Sequence, residues 1–338
     1  MKVFDLLTIS TLIIFGTSCI QKSKEANSEN TEQANERSAS QWRNPLTKMG
    51  RLNSPLVEVQ PLVIDGEFYV LENWRSSWDW PGQPHKDAGK DNEMWIAHLP
   101  KGPENYEGRK YLSRALKGNT LGTAIADEGR VYVFGVNEAS KRKFVEMTWS
   151  DDLKEWSKPV KVLDSPEGDI FNVSLFKDDQ GYVFLWETNG VGKPFTMCFG
   201  RLNRLTDNWN DHIIEGACYG KEKYTGGPEV VYSNGWYYLL YLEDLSEGWE
   251  TRITRSQDLI TWQDAPEERP FLPFNGDHRN LPLHSPEVQE NNASDPGLTT
   301  YQGQVIVYFT GGIQQRGGDL QWAKYEGTVD ELMRSFFE

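Results

Sequence analysis

Carboxylates recur at two kinds of place along this sequence of 338 residues. Glu58, Glu229 and Asp295 stand where an apolar run begins, and Thr123 and Asn172 hold the corresponding places in two further runs. Glu72, Glu187, Glu243 and Asp244 stand where the next run ends. Glu72 and Glu187 each lie six residues past a turn glycine, and Glu243 lies eight past its own. Even spacing along a strand keeps side chains on one side. Carboxylates gathered in one place raise one another's pKa, and a general acid working near neutral pH needs a raised pKa. Taken one at a time, a strand-end acid facing water is the plainer reading.

The runs that carry these acids share one pattern: strand, tight glycine turn, strand. It is seen in "EVQPLVIDGEFYVLEN" from residue 58, "LGTAIADEGRVYVFGV" from 121, "FNVSLFKDDQGYVFLWET" from 171, "PEVVYSNGWYYLLYLED" from 228 and "DPGLTTYQGQVIVYFTGG" from 295. The turn glycines are Gly66, Gly129, Gly181, Gly235 and Gly303. Asp-Gly and Asn-Gly between β-branched and aromatic runs are strong hairpin signals. A Ser-x-Asp-Leu-x-x-Trp turn follows two of the hairpins, at 150–156 and 256–262, and "CFGRLNRLTDNWNDHII" is a looser copy. Repetition of a unit of about four strands predicts an all-β chain, a five-bladed β-propeller from residue 46 to 338, with a short helix in "GTVDELMRSFFE" at the end. A β-sandwich with fortuitous turns is the alternative. In a propeller, the starts of first strands and the ends of second strands share one rim of the central funnel, and the glycine turns lie on the opposite face.

Two long loops belong to that rim. "NWRSSWDWPGQPHKDAGKDNEMW" carries Trp74, Arg75, Trp78, Trp80 and His85, and "PFLPFNGDHRNLPLHSPEVQENNAS" carries His278, Arg279, His284 and Glu287. Exposed tryptophans suit the apolar face of a pyranose, and Arg or His suits hydroxyl or carboxylate groups. Each aromatic could equally pin its loop.

The formal charge of −15 and pI of about 4.9 argue against nucleic acid, which needs a basic face. Lys2, the apolar run Leu6–Phe15 and the small residues before Cys19 read as a secretion signal of lipoprotein type over residues 1–19, with Cys19 lipidated; Gly16 stands where a leucine is usual, and ordinary signal cleavage nearby is the alternative. Residues 20–45 read as a disordered tether. These features predict a lipid-anchored protein of a bacterial cell envelope, at the outer membrane, touching the membrane through its anchor alone. A monomer without cofactor is expected. No metal-ligand motif is present, although an ion on the propeller axis is compatible with the sequence. Cys198 and Cys218 are either a disulfide or two buried thiols.

"FNVSLFKDDQGYVFLW" and "GGPEVVYSNGWYYLLY" resemble blade segments of the five-bladed glycoside hydrolases of family 43 and their relatives, in an uncharacterised bacterial branch, and the likeness extends over the whole repeat region. The resemblance implies a base from a blade 1 Asp-Pro, a pKa-tuning Asp-Pro in blade 3 and an acid from a blade 4 Glu-Gly-Pro. This chain has Glu58 or Gln60 in the first place, Asn172 in the second and Gly226 in the third, and its Asp-Pro is Asp295 in the fifth unit. Hydrolysis needs two carboxylates about 5–5.5 Å apart for retention or roughly 6.5–9.5 Å for inversion. The expected function is therefore hydrolysis of terminal sugars from an oligosaccharide, with Glu229 or Glu243 as proton donor and Glu58 or Asp295 as base or nucleophile. Glu72, Trp74, Arg75, Trp78, Asn172, Glu187 and His284 would bind the sugar. The alternative is a surface lipoprotein that binds carbohydrate and has lost its acids, with lyase or isomerase chemistry as further possibilities on the same scaffold.

Overall fold

Alternating and continuous runs of Val, Ile, Phe, Tyr and Trp favour pleated, half-buried strands, and strands account for nearly all regular structure among the described residues. The computed structural model describes residues 42–75, 91–192, 195–274, 290–313 and 319–338. Four hairpin-connected antiparallel strands form each of three sheets: β2 (Gln60–Ile64), β3 (Glu67–Trp74), β4 (Glu93–His98) and β5 (Lys110–Lys117); β6 (Asn119–Asp127), β7 (Arg130–Asn137), β8 (Phe144–Ser150) and β9 (Val160–Asp164); β10 (Ile170–Asp178), β11 (Gly181–Thr188), β12 (Thr196–Leu202) and β13 (Ile213–Tyr219). The remaining sheet joins β14 (Thr225–Ser233), β15 (Trp236–Asp244), β16 (Trp249–Ser256) and β17 (Trp262–Asp264) to β18 (Asn292–Tyr301), β19 (Gln304–Gly311) and β20 (Asp319–Glu326), through a short parallel pairing of β16 with β18. Its last position is filled from the other end of the chain, because β1 (Thr47–Arg51) pairs antiparallel with β20. Asn44, counted above with the tether, already donates to the carbonyls of Pro270 and Phe271.

The first strands lie side by side in a closed circuit: β2 against β6, β6 against β10, β10 against β14, β14 against β18, and β18 back against β2. Apolar layers fill the spaces between successive sheets, such as Leu62, Leu71, Ala124 and Val133 in one and Val183, Leu185, Val230 and Leu239 in another. The Ser-x-Asp-Leu turns work as the sequence suggested. Ser150 Oγ accepts from the Leu153 amide, Asp152 Oδ1 accepts from Lys154 and Glu155, and Ser256 and Asp258 repeat the arrangement. Cys198 and Cys218 face each other across β12 and β13 and form a disulfide. The helix Val329–Arg334 opens on a capping box between Thr328 and Glu331 and lays Phe337 against Tyr238.

The turns also decide which way each strand-end acid points. In four hairpins the glycine is the second of two turn residues, as in Asp65-Gly66 between Ile64 and Glu67. In the β10–β11 hairpin the turn is Asp179-Gln180, and Gly181 is already the first strand residue, paired with Asp178. Six residues past the glycine therefore means opposite faces in the two hairpins, because a slip of one residue reverses every side chain. Glu187 faces the funnel. Glu72 does not, and its expected role as a sugar ligand is corrected: it is fully buried between sheets, accepting from Tyr106 Oη at 2.5 Å, Tyr111 Oη at 2.7 Å and Trp74 Nε1 at 2.8 Å, and paired with Arg109 at 2.6 Å. Trp74 is corrected with it, since its indole is fully buried against that carboxylate and has no face open to a sugar. Arg109 is itself only 11% exposed at its side chain, so Glu72→Gln strands a buried cation and leaves one acceptor oxygen where Tyr106, Tyr111 and Trp74 had two. Removing one partner of such a pair costs about 3–5 kcal/mol. A urea titration of Glu72→Gln is expected to show a loss of that size, and a loss below about 1 kcal/mol contradicts this assignment.

Candidate functional site

Counted back from their hairpin turns, Glu58, Leu121, Asn172, Gly227 and Asp295 hold one equivalent position, each six residues ahead of the strand residue that closes its turn. Strand pairing is irregular here. The register shifts between Thr120 and Thr123, Ile170 and Val173, Gly226 and Glu229, and Ser294 and Gly297. A bulge places two residues opposite one and re-aims their side chains. Glu58, Leu121, Gly227 and Asp295 all adopt left-handed backbone, with φ between 50° and 56°. For the non-glycine members this costs of order 1–3 kcal/mol each, and such strain persists where the surroundings over-determine it. The result is a cleft whose lining includes Glu58, Asn172, Gly227 and Asp295.

Gly227 is required by contact as well as by φ: a Cβ there would stand 2.2 Å from Asp295 Oδ1. Asp295 accepts from Ser294 Oγ at 2.7 Å, and burial raises its pKa despite the help of Arg75. Glu58 accepts from Arg75 Nη2 at 3.1 Å through Oε1, while Oε2 is buried with no hydrogen-bond partner among the described residues. Burial pushes the Glu58 carboxyl up to about 7; Arg75 opposes this and the Asp295 charge adds to it. Arg75 thus lies against the Glu58 carboxylate.

Glu187 stands beside this lining. Its Oε2 accepts from Asn172 Nδ2 at 2.9 Å and from the Gly227 amide at 3.0 Å, and no described group bonds its Oε1. The side chain is 2% exposed, and burial pushes its pKa up to about 8, with the charges of Asp295 and Glu58 adding to the effect of burial against the two hydrogen bonds. A Cβ built on Gly226 would meet nothing nearer than 3.8 Å, and Glu187 Oε1 lies 3.9 Å from it. A carboxylate from β11 therefore borders the space that a side chain at position 226 would enter. Next to it runs a wall of aromatic rings that the sequence reading missed: Phe171 on Phe195 at 4.3 Å and Phe195 on Tyr224 at 5.4 Å, with Tyr224 40% exposed. Phe171 directly precedes Asn172 inside the bulge, and that adjacency was the one available signal.

The two expected proton donors are placed elsewhere. Glu229 is two residues deeper, level with Gln60, Thr123, Ser174 and Gly297 on the axis. Gln60 Nε2 and Ser174 Oγ both donate to it at 3.2 Å, and burial pushes its pKa up to about 8. It lines both the cleft and a second cavity that opens on the turn side of the ring, so it sits between the two mouths of the channel. Glu243 pairs with Thr225 across β14–β15 and forms an ion pair with Arg252 at 3.3 Å, in a separate cleft with Lys223, Asp264 and Arg269; as with Glu72, strand parity turns it away from the funnel. Trp78, His284 and Cys19 lie outside the described residues, as do Trp80, His85, His278, Arg279 and Glu287. Among the described residues no group of three or more His, Cys, Asp or Glu is arranged to hold a metal ion.

No protein-family profile matches the sequence, and no curated protein does. Solved structures do match in fold. An α-L-arabinofuranosidase from Podospora anserina, solved with cellotriose, superposes with a TM-score of 0.59 at 12% identity, over 84% of this chain and 96% of that one. The catalytic domain of a GH62 α-L-arabinofuranosidase from Coprinopsis cinerea gives 0.60 at 12%, over 83% and 96%. A GH43 protein from Bacillus licheniformis gives 0.54 at 16%, over 82% of this chain and 55% of its own. At such identities the likeness is one of architecture: the chain has the β-propeller fold of these glycoside hydrolases.

Proposed function

We propose that the chain is a five-bladed propeller, closed by β1 in its last blade, and that it hydrolyses terminal sugars of an oligosaccharide with Glu187 as general acid and Glu58 as base or nucleophile. The observation that carries this is the Glu187 carboxyl, which borders the space at Gly226 with one oxygen unbonded and a pKa pushed up to about 8. A carboxylic acid that keeps its proton at pH 7 can deliver it to a leaving glycosidic oxygen. Glu58 supplies the second group. Arg75 fixes one of its oxygens and leaves the other unpartnered, ready to attack the anomeric carbon or to take a proton from water, according to the distance between the two carboxyls. Asp295 raises the pKa of both. Asn172, where the resembling family has an acid, holds Glu187 in place through its amide. The aromatic wall of Phe171, Phe195 and Tyr224 offers ring faces to the sugar.

A second reading is a sugar-binding protein without turnover, favoured by the near-complete burial of Glu187 and by Gly226 itself. For either reading we place the protein at a bacterial cell envelope, anchored through Cys19. The Cys198–Cys218 disulfide supports an oxidising compartment.

The two readings separate in one experiment. Incubated with a panel of oligosaccharides, the wild type is expected to release terminal sugars. Glu187→Gln and Glu58→Gln should each lower kcat by about 100-fold or more with affinity retained, in the range of lost acid–base catalysis. Base and acid together give a bell-shaped profile of kcat/KM, rising as Glu58 ionises near 7 and falling as Glu187 loses its proton near 8. In Asp295→Asn the falling limb should move to lower pH, because a charge that raises Glu187 has gone. Saturable binding with no release in any buffer would establish the binder.

Glu229 separates by stability instead. Its folded pKa, about 8, lies above the value of 4.5 for a free glutamate, so its contribution is complete below about 4.5 and is lost as pH rises through 8. Glu229→Gln is accordingly expected to raise stability at pH 9 by about 1–3 kcal/mol, with little change at pH 4 in a thermal melt. Destabilisation at pH 9 would contradict the burial of an unpaired charge there.

A further inference from the structure

The loop between β7 and β8 ends in two consecutive non-glycine residues with left-handed backbone, Lys141 at φ 59° and Arg142 at φ 62°. Neither is a residue type that tolerates this conformation well. The loop is held by many bonds: the Ser140 amide to Asn137 Oδ1, Ser140 Oγ to the Asn137 carbonyl, the Lys143 amide to Ser140 Oγ, and the Arg142 amide to the Asn137 carbonyl. The Arg142 carbonyl accepts from the Ile170 amide, which ties the strained turn to the start of β10. Its guanidinium is thereby set 5.2 Å from the Phe171 ring, and near enough to the funnel for its charge to act on Glu58. Glu138 engages only Nε, at 3.1 Å and 3.3 Å to its two oxygens. No described group bonds the Nη edge, and the side chain is 36% exposed.

We propose that this rim is a subsite for a carboxylated sugar, a uronate unit of the oligosaccharide, with its ring against Phe171 and its carboxylate on the Nη edge of Arg142. The inference rests on the reading of the funnel as an oligosaccharide site and adds the substrate class to it. Guanidinium nitrogens in a fixed plane match a carboxylate bidentately, and an aromatic ring beside them supplies the apolar partner for a pyranose. When ionised, Glu58 and Asp295 would repel an anionic ligand, and Arg75 is already engaged by Glu58. Arg142 supplies the positive edge that admits one.

The test is isothermal titration of the purified protein with oligogalacturonides and glucuronate-capped xylo-oligosaccharides, each beside its carboxyl-reduced neutral counterpart. The acidic form should bind at least about tenfold more tightly, the scale of one charge-assisted pair, and the preference should shrink with added salt. Arg142→Gln should remove the preference, with most of the loss on the acidic ligand. Arg142→Lys, which keeps the charge and cannot form the fork, should recover part of it, and Phe171→Leu should weaken both ligand forms. Equal affinity of the wild type for acidic and neutral forms, a preference that survives Arg142→Gln, or binding of neither form would overturn the proposal. Sugar release is followed in the same samples. A preference without release sinks the hydrolase reading alone, and release without preference sinks this subsite alone.

Discussion

A side chain on a strand can take only two directions, and in this protein the direction is set where the hairpin turn ends. Everything the funnel contains depends on that parity and on one break in it. Glu187 enters the funnel because its turn closes one residue earlier, relative to its glycine, than the turn before Glu72. The break is the run of bulges at the starts of β6, β10, β14 and β18, with left-handed backbone at Leu121, Gly227 and Asp295, and Glu58 is left-handed just ahead of β2. Without those bulges the first strands would present alternate residues to the neighbouring sheets and leave the axis to backbone.

The electrostatics follow from this geometry. Glu58, Glu187 and Asp295 are buried together, and among the described residues Arg75 is the cation hydrogen-bonded to this group, through Glu58. Burial disfavours the charged form of a carboxyl, and a like neighbour disfavours it further. The Glu72 cluster shows the opposite solution within the same sheet architecture, a carboxylate satisfied by a guanidinium, two phenols and an indole. One acid is fully partnered and serves stability. The other three are partly partnered, and burial raises the pKa of each.

Much of the scaffold could be read from the chain. The glycine turns and the Ser-x-Asp-Leu repeat give the hairpins and their order because local backbone chemistry fixes them. The capped terminal helix was legible for the same reason. Strand parity was not, because Gly181 looks like the other turn glycines yet occupies the next position. The pairing of β1 with β20 was hidden as well: "TKMGR" is short and carries two cations, and only a partner at the far end of the sequence makes it a strand. Of the candidate acids, those at strand starts were legible as a set, with Glu58 and Asp295 in the funnel and Glu229 one layer too deep. Arg142 had no signal, since a strained turn without glycine or asparagine leaves no trace in composition.

The account stands or falls on whether Glu187 does the work that a glutamate at position 226 would do. Gly226 has room for a side chain and no left-handed backbone to forbid one. The decisive measurement is sugar release by the double variant Glu187→Gln/Gly226→Glu, compared with Glu187→Gln alone. Partial recovery of kcat in the double variant is the expected result, because a carboxyl returns to the same space from the neighbouring strand. A folded, sugar-binding double variant that stays as inactive as Glu187→Gln, or a Glu187→Gln that turns over like wild type, would contradict the account.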